Sequence, residues 1–245
     1  MALPYVIDTH RPTQIGLITL QSDETIERDF RMLLPPDVEC LVSRVPSGAS
    51  VTLDSLCAME DSLTASARLF PVGADFAAVG YGCTSASAAI GPVRVAELIN
   101  AGVPTPHVSD PLTALIAACK AGGISRIGLV SPYVASVSER LIHGLEAAGI
   151  AVTSFGSFDE PIEERVVRIS RASVRDAAVH VGNSGTCDAV FLSCTNLRAL
   201  EVIEEIETAL RRPALSSNQI LVWHLGVLSG FSRRCTRIGR VFDFC

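Results

Sequence analysis

The chain has 245 residues, of which 48% are hydrophobic and 19% charged, with a formal net charge of −6 and an isoelectric point of about 5.4. This apolar content is enough for a sizeable core in one large domain or in two lobes. An acidic chain without a broad basic surface is poorly suited to hold a phosphate backbone, so we expect no nucleic-acid partner.

The first fourteen residues include charged residues and prolines, and they lack the basic start and apolar run of a secretory signal. No apolar stretch in the sequence approaches the roughly 20 residues that cross a bilayer. We therefore expect a soluble, cytoplasmic protein that has no membrane partner.

Cysteine and histidine spacing argues against disulfides and metals. The eight cysteines form no CxxC pair, and a chain of this size without a secretory signal favours reduced thiols. The five histidines fall into no short ligand spacing such as HExxH. The sequence therefore predicts no metal site.

Short runs rich in Val, Ile and Leu alternate with segments of helical periodicity, which is typical of strands and helices around a largely parallel sheet. The sequence thus predicts an α/β fold. We expect strands near residues 14–20, 39–45, 76–81, 127–131, 152–155 and 189–193, with boundaries good to ~2–4 residues and helices after most of them.

An internal sequence repeat divides the chain into two halves. Ile15-Gly-Leu-Ile-Thr19 is similar to Ile127-Gly-Leu-Val-Ser131, and the segment 78–85 is similar to the segment 189–196. Similar spacing separates both pairs of segments, as a duplicated lobe requires. We expect an N-terminal α/β lobe over 14–110, a C-terminal α/β lobe over 111–228 and a tail over 229–245.

The two echoing segments each carry a cysteine, Cys83 and Cys194, directly after a predicted strand. In open α/β sheets, ligands bind outside the carboxyl ends of the strands. If the lobes pack about a pseudo-two-fold axis, both strand ends point into one cleft and the two thiols approach a ligand from opposite faces. We therefore expect the active site in this cleft, with Cys83 and Cys194 as its catalytic residues.

A helix is expected to begin after each of these two cysteines, over residues 86–90 and 197–210. The helix dipole and the free N–H groups of a helix start favour an anionic sulfur, so we expect thiol pKa values below the reference of about 8.5. The usual alternative for a cysteine is a small buried hydrophobe. We assign that packing role to most of the other cysteines, including Cys187.

Polar residues follow each of the two cysteines. Thr84, Ser85, Thr195 and Asn196 could bind a carboxylate and stabilise the enediolate that forms when an α-proton leaves. Helix capping uses the same atoms, and the start of a helix can be capped and still bind an anion. We favour substrate binding for these residues, with capping as the alternative.

The loop after the first strand places three further candidates for substrate binding, Gln21, Ser22 and Asp23, at the mouth of the cleft. Asp23 or Ser22 could instead cap the helix that runs through Arg31. Tyr133 occupies the corresponding point of the second lobe. Its hydroxyl could donate to a substrate carboxylate, or the ring could simply pack at the surface.

With these motifs the sequence resembles the aspartate/glutamate racemase superfamily, most closely the branch that contains arylmalonate decarboxylases, maleate cis-trans isomerases and ectoine-utilisation racemase-like proteins. The resemblance covers nearly the whole chain. It rests on Ile15-Gly-Leu-Ile-Thr, Gly82-Cys-Thr-Ser85, residues 126–133 and 138–141, Leu192-Ser-Cys-Thr-Asn196 and Gly239-Arg-Val-Phe242. It implies two flavodoxin-like lobes, no metal or organic cofactor, and proton transfer or addition by one or two thiols.

The resemblance also separates the activities within this branch. Arylmalonate decarboxylases typically carry glycine at the position of Cys83, because decarboxylation itself creates the carbanion and only one protonation follows. Maleate isomerases have both thiols, the first of which adds to the alkene, but they usually carry asparagine at the position of Asp23 and place the second cysteine in a different motif. An ionised Asp23 would repel a substrate carboxylate and favour an ammonium group.

We therefore expect cofactor-independent racemisation or epimerisation of an amino acid, in which one thiolate removes the α-proton and the opposite thiol returns one. Maleate cis-trans isomerisation is the main alternative, ahead of a decarboxylase and of a protein that binds a small acid without catalysis. A thiol redox role lacks the CxxC unit. The expected partner is a small carboxylate or amino-acid substrate, and a homo-oligomer remains open.

Overall fold

The computed structural model of the protein describes residues 1–48 and 50–244. One parallel sheet contains β1 (Thr13–Leu20), β2 (Val38–Val45), β3 (Phe76–Gly82) and β4 (Val108–Ser109), in the order β2-β1-β3-β4. The other contains β5 (Arg126–Ser131), β6 (Ala151–Ser157), β7 (Ala189–Leu192) and β8 (Ala214–Ser216), in the order β6-β5-β7-β8. The matching strand order confirms the predicted α/β fold with two duplicated sheets.

Helices connect the strands and cover the sheets. They are α1 (Ile26–Leu33), α2 (Leu53–Ala58), α3 (Glu60–Ala67), α4 (Thr84–Ile90), α5 (Pro92–Gly102), α6 (Pro111–Gly122), α7 (Ala135–Ala147), α8 (Glu163–Val166), α9 (Arg171–Ser184), α10 (Ile203–Leu210) and α11 (Ser217–Ser229). Short 3-10 turns lie at Leu200–Val202, Ser232–Arg234 and Arg240–Asp243. Among the described residues, none of the helices combines the length and the apolar character needed to cross a membrane.

The six predicted strands are confirmed, and two short strands were missed. β4 pairs with β3 through only two residues, and β8 has three residues. Strands this short offer too few positions for a periodic pattern to show. The helix predicted over 197–210 begins later than expected, because α10 starts only at Ile203 after a 3-10 turn.

The central strands are buried on both faces, as is usual for parallel sheets covered by helices. In β1, the side chains of Ile15, Leu17 and Ile18 are fully buried. α11 packs against β3, where a side chain at Gly80 would come within 3.0 Å of Leu225. α11 follows the second sheet in the chain but packs against the first sheet. The two halves therefore share hydrophobic packing. The boundary expected near residue 110 stays a prediction.

The centre of β7 offers a direct test of this core. Phe191 is fully buried, whereas Phe155 of the edge strand β6 is 40% exposed. Replacing Phe191 with alanine should lower the free energy of unfolding by about 3–5 kcal/mol, because the lost burial leaves a cavity. The same replacement at Phe155 should cost much less. Urea unfolding of both variants checks this, and equal losses would contradict the described core.

Candidate active site

Ser217, the first residue of α11, connects the segments that follow the carboxyl ends of β3 and β7. Cys83 follows β3 directly, and Cys194 lies two residues after β7; each is only 5% exposed. The Ser217 hydroxyl oxygen accepts a hydrogen bond from the Thr84 hydroxyl at 2.8 Å and another from the Cys194 backbone N–H at 3.0 Å. One side chain thus ties the two cysteine loops together.

Cys83 caps the N-terminus of α4, as predicted. Its sulfur accepts a hydrogen bond from the backbone N–H of Ala86 at 3.4 Å. Its backbone carbonyl accepts hydrogen bonds from the N–H and from the hydroxyl of Ser87. These bonds fix the thiol at the end of β3.

Cys194 lies in a tight turn instead of at a helix start. Its backbone φ is 111°, a strained value for a residue with a side chain, and its sulfur accepts from the Asn196 N–H at 3.3 Å. The Thr195 hydroxyl donates to the Gly82 carbonyl at 3.2 Å, while the Thr195 carbonyl accepts from the Asn218 side chain at 2.8 Å. These bonds to other elements hold the turn in place of the expected helix.

A buried chain of hydrogen bonds leads from Cys194 to Glu163, a residue of α8 that the sequence did not single out. The Tyr133 hydroxyl donates to Glu163 Oε2 at 2.8 Å and lies 3.0 Å from Cys194 Sγ. The Asn196 side chain donates to Glu163 Oε1 at 3.1 Å. Because the single hydroxyl hydrogen of Tyr133 goes to the carboxylate, the Cys194 S–H donates to the phenol oxygen.

Glu163 was hidden by its context in the sequence. It stands beside Glu164 in a charged, proline-containing stretch that is typical of a solvent-exposed loop. Only Glu163 is buried, at 2% exposure, while Glu164 pairs with Arg168 at the surface. The available signal was the buried Val166, which lies three residues further along the chain and so shares a helix face with Glu163.

Asp23 is a helix cap and retains one free carboxylate oxygen. Its Oδ1 accepts hydrogen bonds from the backbone N–H groups of Thr25 and Ile26, both at 2.8 Å, which confirms the capping alternative. Its Oδ2 is buried and has no hydrogen bond of normal geometry among the described residues, although the Thr195 side chain is close enough to lower the pKa of Asp23. Asp23 follows the lining residue Ser22 in the chain but does not itself line the cavity described below.

The two residues before Asp23, Gln21 and Ser22, differ in their position relative to the cavity. The Ser22 hydroxyl lies 3.0 Å from that of Ser47, and Ser22 lines the cavity beside Cys83. The Gln21 side chain is exposed and does not line this cavity. The structure thus brings Ser22 to the site and leaves Gln21 outside, because the chain turns away from β1 at that residue.

A small cavity is lined in part by Cys83. Its volume is about 10 Å³, close to the space that one water molecule needs. On the protein-core side it is lined by Leu20, Ser22, Cys83, Ser85, Tyr133 and Glu163, and on the outer side by Ser47, Gly48, Ser50, Val51, Ser55, Leu56 and Met59. Among these described residues, none is a lysine, arginine or histidine.

The outer side is formed by one segment of the chain, residues 47–48 and 50–59, which we call the cover. The cover is tethered near Glu163 by the antiparallel bridge of Ser50 with Ile162 and by the hydrogen bond from Val51 N–H to the Pro161 carbonyl, at 3.0 Å. Because the cavity is smaller than any amino acid or diacid, a substrate requires the cover to move.

The two thiols have raised pKa values, contrary to the prediction. Burial raises the pKa of Cys83 to about 12, although the Ala86 N–H opposes this shift. Burial also raises the pKa of Cys194 far above its usual value, and the nearby Glu163 carboxylate adds to the effect. The sequence argument included the helix start but not the loss of solvent, which is the larger effect here. Both thiols are therefore protonated at neutral pH before a substrate binds.

The two carboxyl groups of the site are shifted in the same direction. Burial raises the pKa of Asp23, opposed mainly by the N–H groups of Ile26 and Thr25. Burial raises the pKa of Glu163 too, against the hydrogen bonds from Tyr133 and Asn196. Burial thus disfavours the charged form of both carboxyl groups, and a positive charge on a ligand would favour it again.

The fold and the site together define a class: two duplicated parallel sheets whose strand ends bring two cysteines and their polar neighbours together. A profile of the family described as "Arylmalonate decarboxylase" matches residues 66–242. The chain is 30% identical over 237 residues to the arylmalonate decarboxylase of Bordetella bronchiseptica, covering 94% of this chain and 96% of the relative. The chain belongs to the arylmalonate decarboxylase family, a family of enzymes.

Two further relatives fall in the same branch. The maleate isomerase of Geobacillus stearothermophilus is 24% identical over 227 residues, covering 86% of this chain and 90% of the relative. A crystal structure of a double mutant of arylmalonate decarboxylase in its liganded form is 27% identical, with a TM-score of 0.85 over 94% of this chain and 99% of that one. The predicted branch of the superfamily is thereby confirmed.

Proposed function

We propose that the protein is a cofactor-independent isomerase that racemises or epimerises an amino acid, with Cys83 and Cys194 as acid and base. The observation that carries this proposal is that both thiols adjoin one cavity through a shared neighbour. Cys83 and Tyr133 line the cavity, and the Tyr133 hydroxyl lies 3.0 Å from the sulfur of Cys194, which is not itself a lining residue. Two sulfurs on one substrate allow proton removal and return without a change of binding site.

The substrate carboxylate would be bound by Ser85. Ser85 lines the cavity, whereas the hydroxyls of Thr84 and Thr195 already donate to Ser217 and Gly82. Those two threonines hold the cysteine loops in place. A hydroxyl that strengthens its hydrogen bond as the carboxylate becomes an enediolate lowers the barrier to proton loss.

The charges of the pocket favour an ammonium group. Glu163 is a buried carboxyl group in the cavity lining, the buried Asp23 Oδ2 lies next in the chain to the lining residue Ser22, and the described lining residues include no cationic side chain. An ammonium group offers three donors and a positive charge to such a site. An amino acid supplies this group next to the carbon that loses its proton.

Cis-trans isomerisation of maleate or a similar diacid is a second candidate, favoured by the similarity to maleate isomerases. By resemblance, one thiol would add to the alkene, and rotation about the new single bond would precede elimination. A dianion would require Asp23 and Glu163 to be neutral. Decarboxylation of an arylmalonate is supported by the 30% identity to the arylmalonate decarboxylase of Bordetella bronchiseptica. By resemblance, however, such decarboxylases carry glycine at the position of Cys83.

One experiment separates these activities. The enzyme is incubated in deuterated water with a panel of chiral amino acids, maleate and an arylmalonate, and proton NMR and chiral chromatography follow the products. Our proposal predicts loss of the α-proton signal together with the opposite configuration for an amino acid. Conversion of maleate to its trans isomer without α-exchange supports the second candidate, release of carbon dioxide supports a decarboxylase, and no reaction contradicts all three.

A further inference from the structure

We propose that Glu163 is the internal proton acceptor for Cys194 and works through the Tyr133 hydroxyl. The inference rests on the proposed role of Cys194 as an acid and base, and it assigns Glu163 as a positioning residue because it acts through Tyr133. The three groups form one continuous line of hydrogen bonds, with 3.0 Å from sulfur to phenol oxygen and 2.8 Å from phenol oxygen to carboxylate.

The proton transfer is balanced within this line. The Cys194 S–H bond breaks and its proton goes to the Tyr133 oxygen, while the Tyr133 O–H bond breaks and its proton goes to Glu163 Oε2. The products are a thiolate, an intact phenol and a neutral carboxylic acid. The reverse transfer restores the thiol and the carboxylate. No proton enters or leaves the pocket in either direction.

The arrangement addresses the difficulty that both thiols are buried and protonated. Losing a proton to water would create a second negative charge beside Glu163, at a high cost in a buried pocket. The relay moves the negative charge from the carboxylate to the sulfur and leaves the total unchanged. In the product state Tyr133 donates to the thiolate, and the Asn196 backbone N–H still donates to the same sulfur at 3.3 Å.

The surroundings of Glu163 hold its carboxyl group in place for this transfer. Asn196 donates to the other carboxylate oxygen, Oε1, at 3.1 Å, so Oε2 is the oxygen that faces Tyr133. The other titratable groups that act on this network are Asp23 and Cys83. Among the described residues neither shares a hydrogen bond with Tyr133 or Glu163, so Glu163 is the carboxylate that the Tyr133 hydroxyl reaches.

Among the described residues, the sulfur of Cys83 has no equivalent proton acceptor, and it accepts a hydrogen bond from the backbone N–H of Ala86. The two thiols therefore differ: Cys194 has a proton acceptor built into the fold, and Cys83 would depend on the substrate or on solvent. Cys83 is an internal control, because it lines the cavity and so reports movements of the cover, and because the Glu163 carboxylate raises its pKa too, so it reports the purely electrostatic effect of removing that charge.

The test measures thiol reactivity without substrate. Wild-type, Glu163→Gln and Tyr133→Phe proteins are alkylated with iodoacetamide from about pH 6 to about pH 10, and mass spectrometry of peptides gives separate rates for Cys194 and Cys83. In the wild type, the relay predicts a Cys194 rate that is independent of pH in the lower part of this range. In both variants the rate should instead rise roughly tenfold per pH unit, and near neutral pH it should be at least about tenfold slower than in the wild type.

Simple electrostatics predicts the opposite result for Glu163→Gln. Removing a negative charge that raises the Cys194 pKa would make the thiol more reactive at every pH. A Glu163→Gln protein whose Cys194 reacts as fast as or faster than the wild type near neutral pH, relative to Cys83, overturns the relay. If Glu163→Gln fails to fold, Tyr133→Phe decides, because persistence of the pH-independent rate without the phenol also overturns it.

This outcome is separable from the proposed function. The alkylation rates require no turnover, so a relay that is present in a protein inactive on every amino acid would contradict the racemase proposal alone. Conversely, α-deuterium incorporation by a wild-type enzyme with no pH-independent thiol reactivity would contradict the relay alone.

Discussion

Replacing Cys194 with serine is expected to lower kcat/KM for racemisation by roughly 10²- to 10⁴-fold, the range typical of a lost general acid or base. Serine keeps the size and the hydrogen bonds with Tyr133 and the Asn196 N–H, but its hydroxyl is far too weak an acid to supply an anionic base. Cys83→Ser should have an effect of similar size, since each turnover uses both sulfurs. Steady-state kinetics with chiral detection gives both values.

A matched control is Cys119→Ser, which makes the same chemical change at a buried cysteine of α6 outside the cavity lining. It should retain activity and lose only stability. Either active-site variant could keep proton exchange from the one face served by its remaining thiol. If both variants racemise at the wild-type rate, the thiols are not the acid and base.

Replacing Asp23 with asparagine is expected to lower kcat/KM toward the amino-acid substrate by roughly 10- to 150-fold, which corresponds to about 1.5–3 kcal/mol for a charge-assisted hydrogen bond. The structure makes this a clean substitution. Asparagine retains the Oδ1 that accepts from Thr25 and Ile26, so the cap on α1 is preserved. Only the unpartnered Oδ2 changes, from a carboxylate oxygen to an amide nitrogen.

The control for this variant is Asp110→Asn, which alters a second buried aspartate that caps a helix, α6, away from the cavity lining. It measures the effect of the same substitution outside the cavity and gives an upper limit on the folding effect, because Asp110 Oδ2 also accepts a hydrogen bond from the Thr113 hydroxyl at 2.6 Å. For a dianionic substrate such as maleate, Asp23→Asn should leave activity unchanged or raise it. Full activity of Asp23→Asn on an amino acid would show that Asp23 is only a cap and would remove its support for an ammonium-bearing substrate.

Much of the site was predictable because parallel sheets place their functional residues at strand ends. The sequence repeat around Cys83 and Cys194 identified both thiols. The same rule, that ligands bind beyond the carboxyl ends of strands, identified the adjacent polar residues Thr84, Ser85, Thr195 and Asn196. Ser217 obeys this rule as well, since it follows β8 directly. It was missed because a strand of three residues leaves no recognisable pattern.

The rest of the site depends on contacts between residues far apart in the chain. Glu163 reaches the pocket only because α8 packs beside Tyr133 and Asn196, and no local pattern shows that one of two adjacent glutamates turns inward. The raised pKa of Cys83 likewise depends on burial in the assembled fold, in which the cover, from residues before β3, forms one wall of the adjoining cavity. Burial of this kind is a property of the assembled fold, so a local argument from the helix start gave the wrong direction.

The most direct measurement of the two-thiol account is the early fate of deuterium. A single enantiomer of the amino acid identified in the panel is incubated in deuterated water, and chiral separation with mass spectrometry is applied before about a tenth of it has been converted. Two bases on opposite faces predict one solvent deuterium in the inverted product and little or none in the recovered substrate. Equal deuterium in both enantiomers at these early times, or turnover of no amino acid at all, would contradict the account.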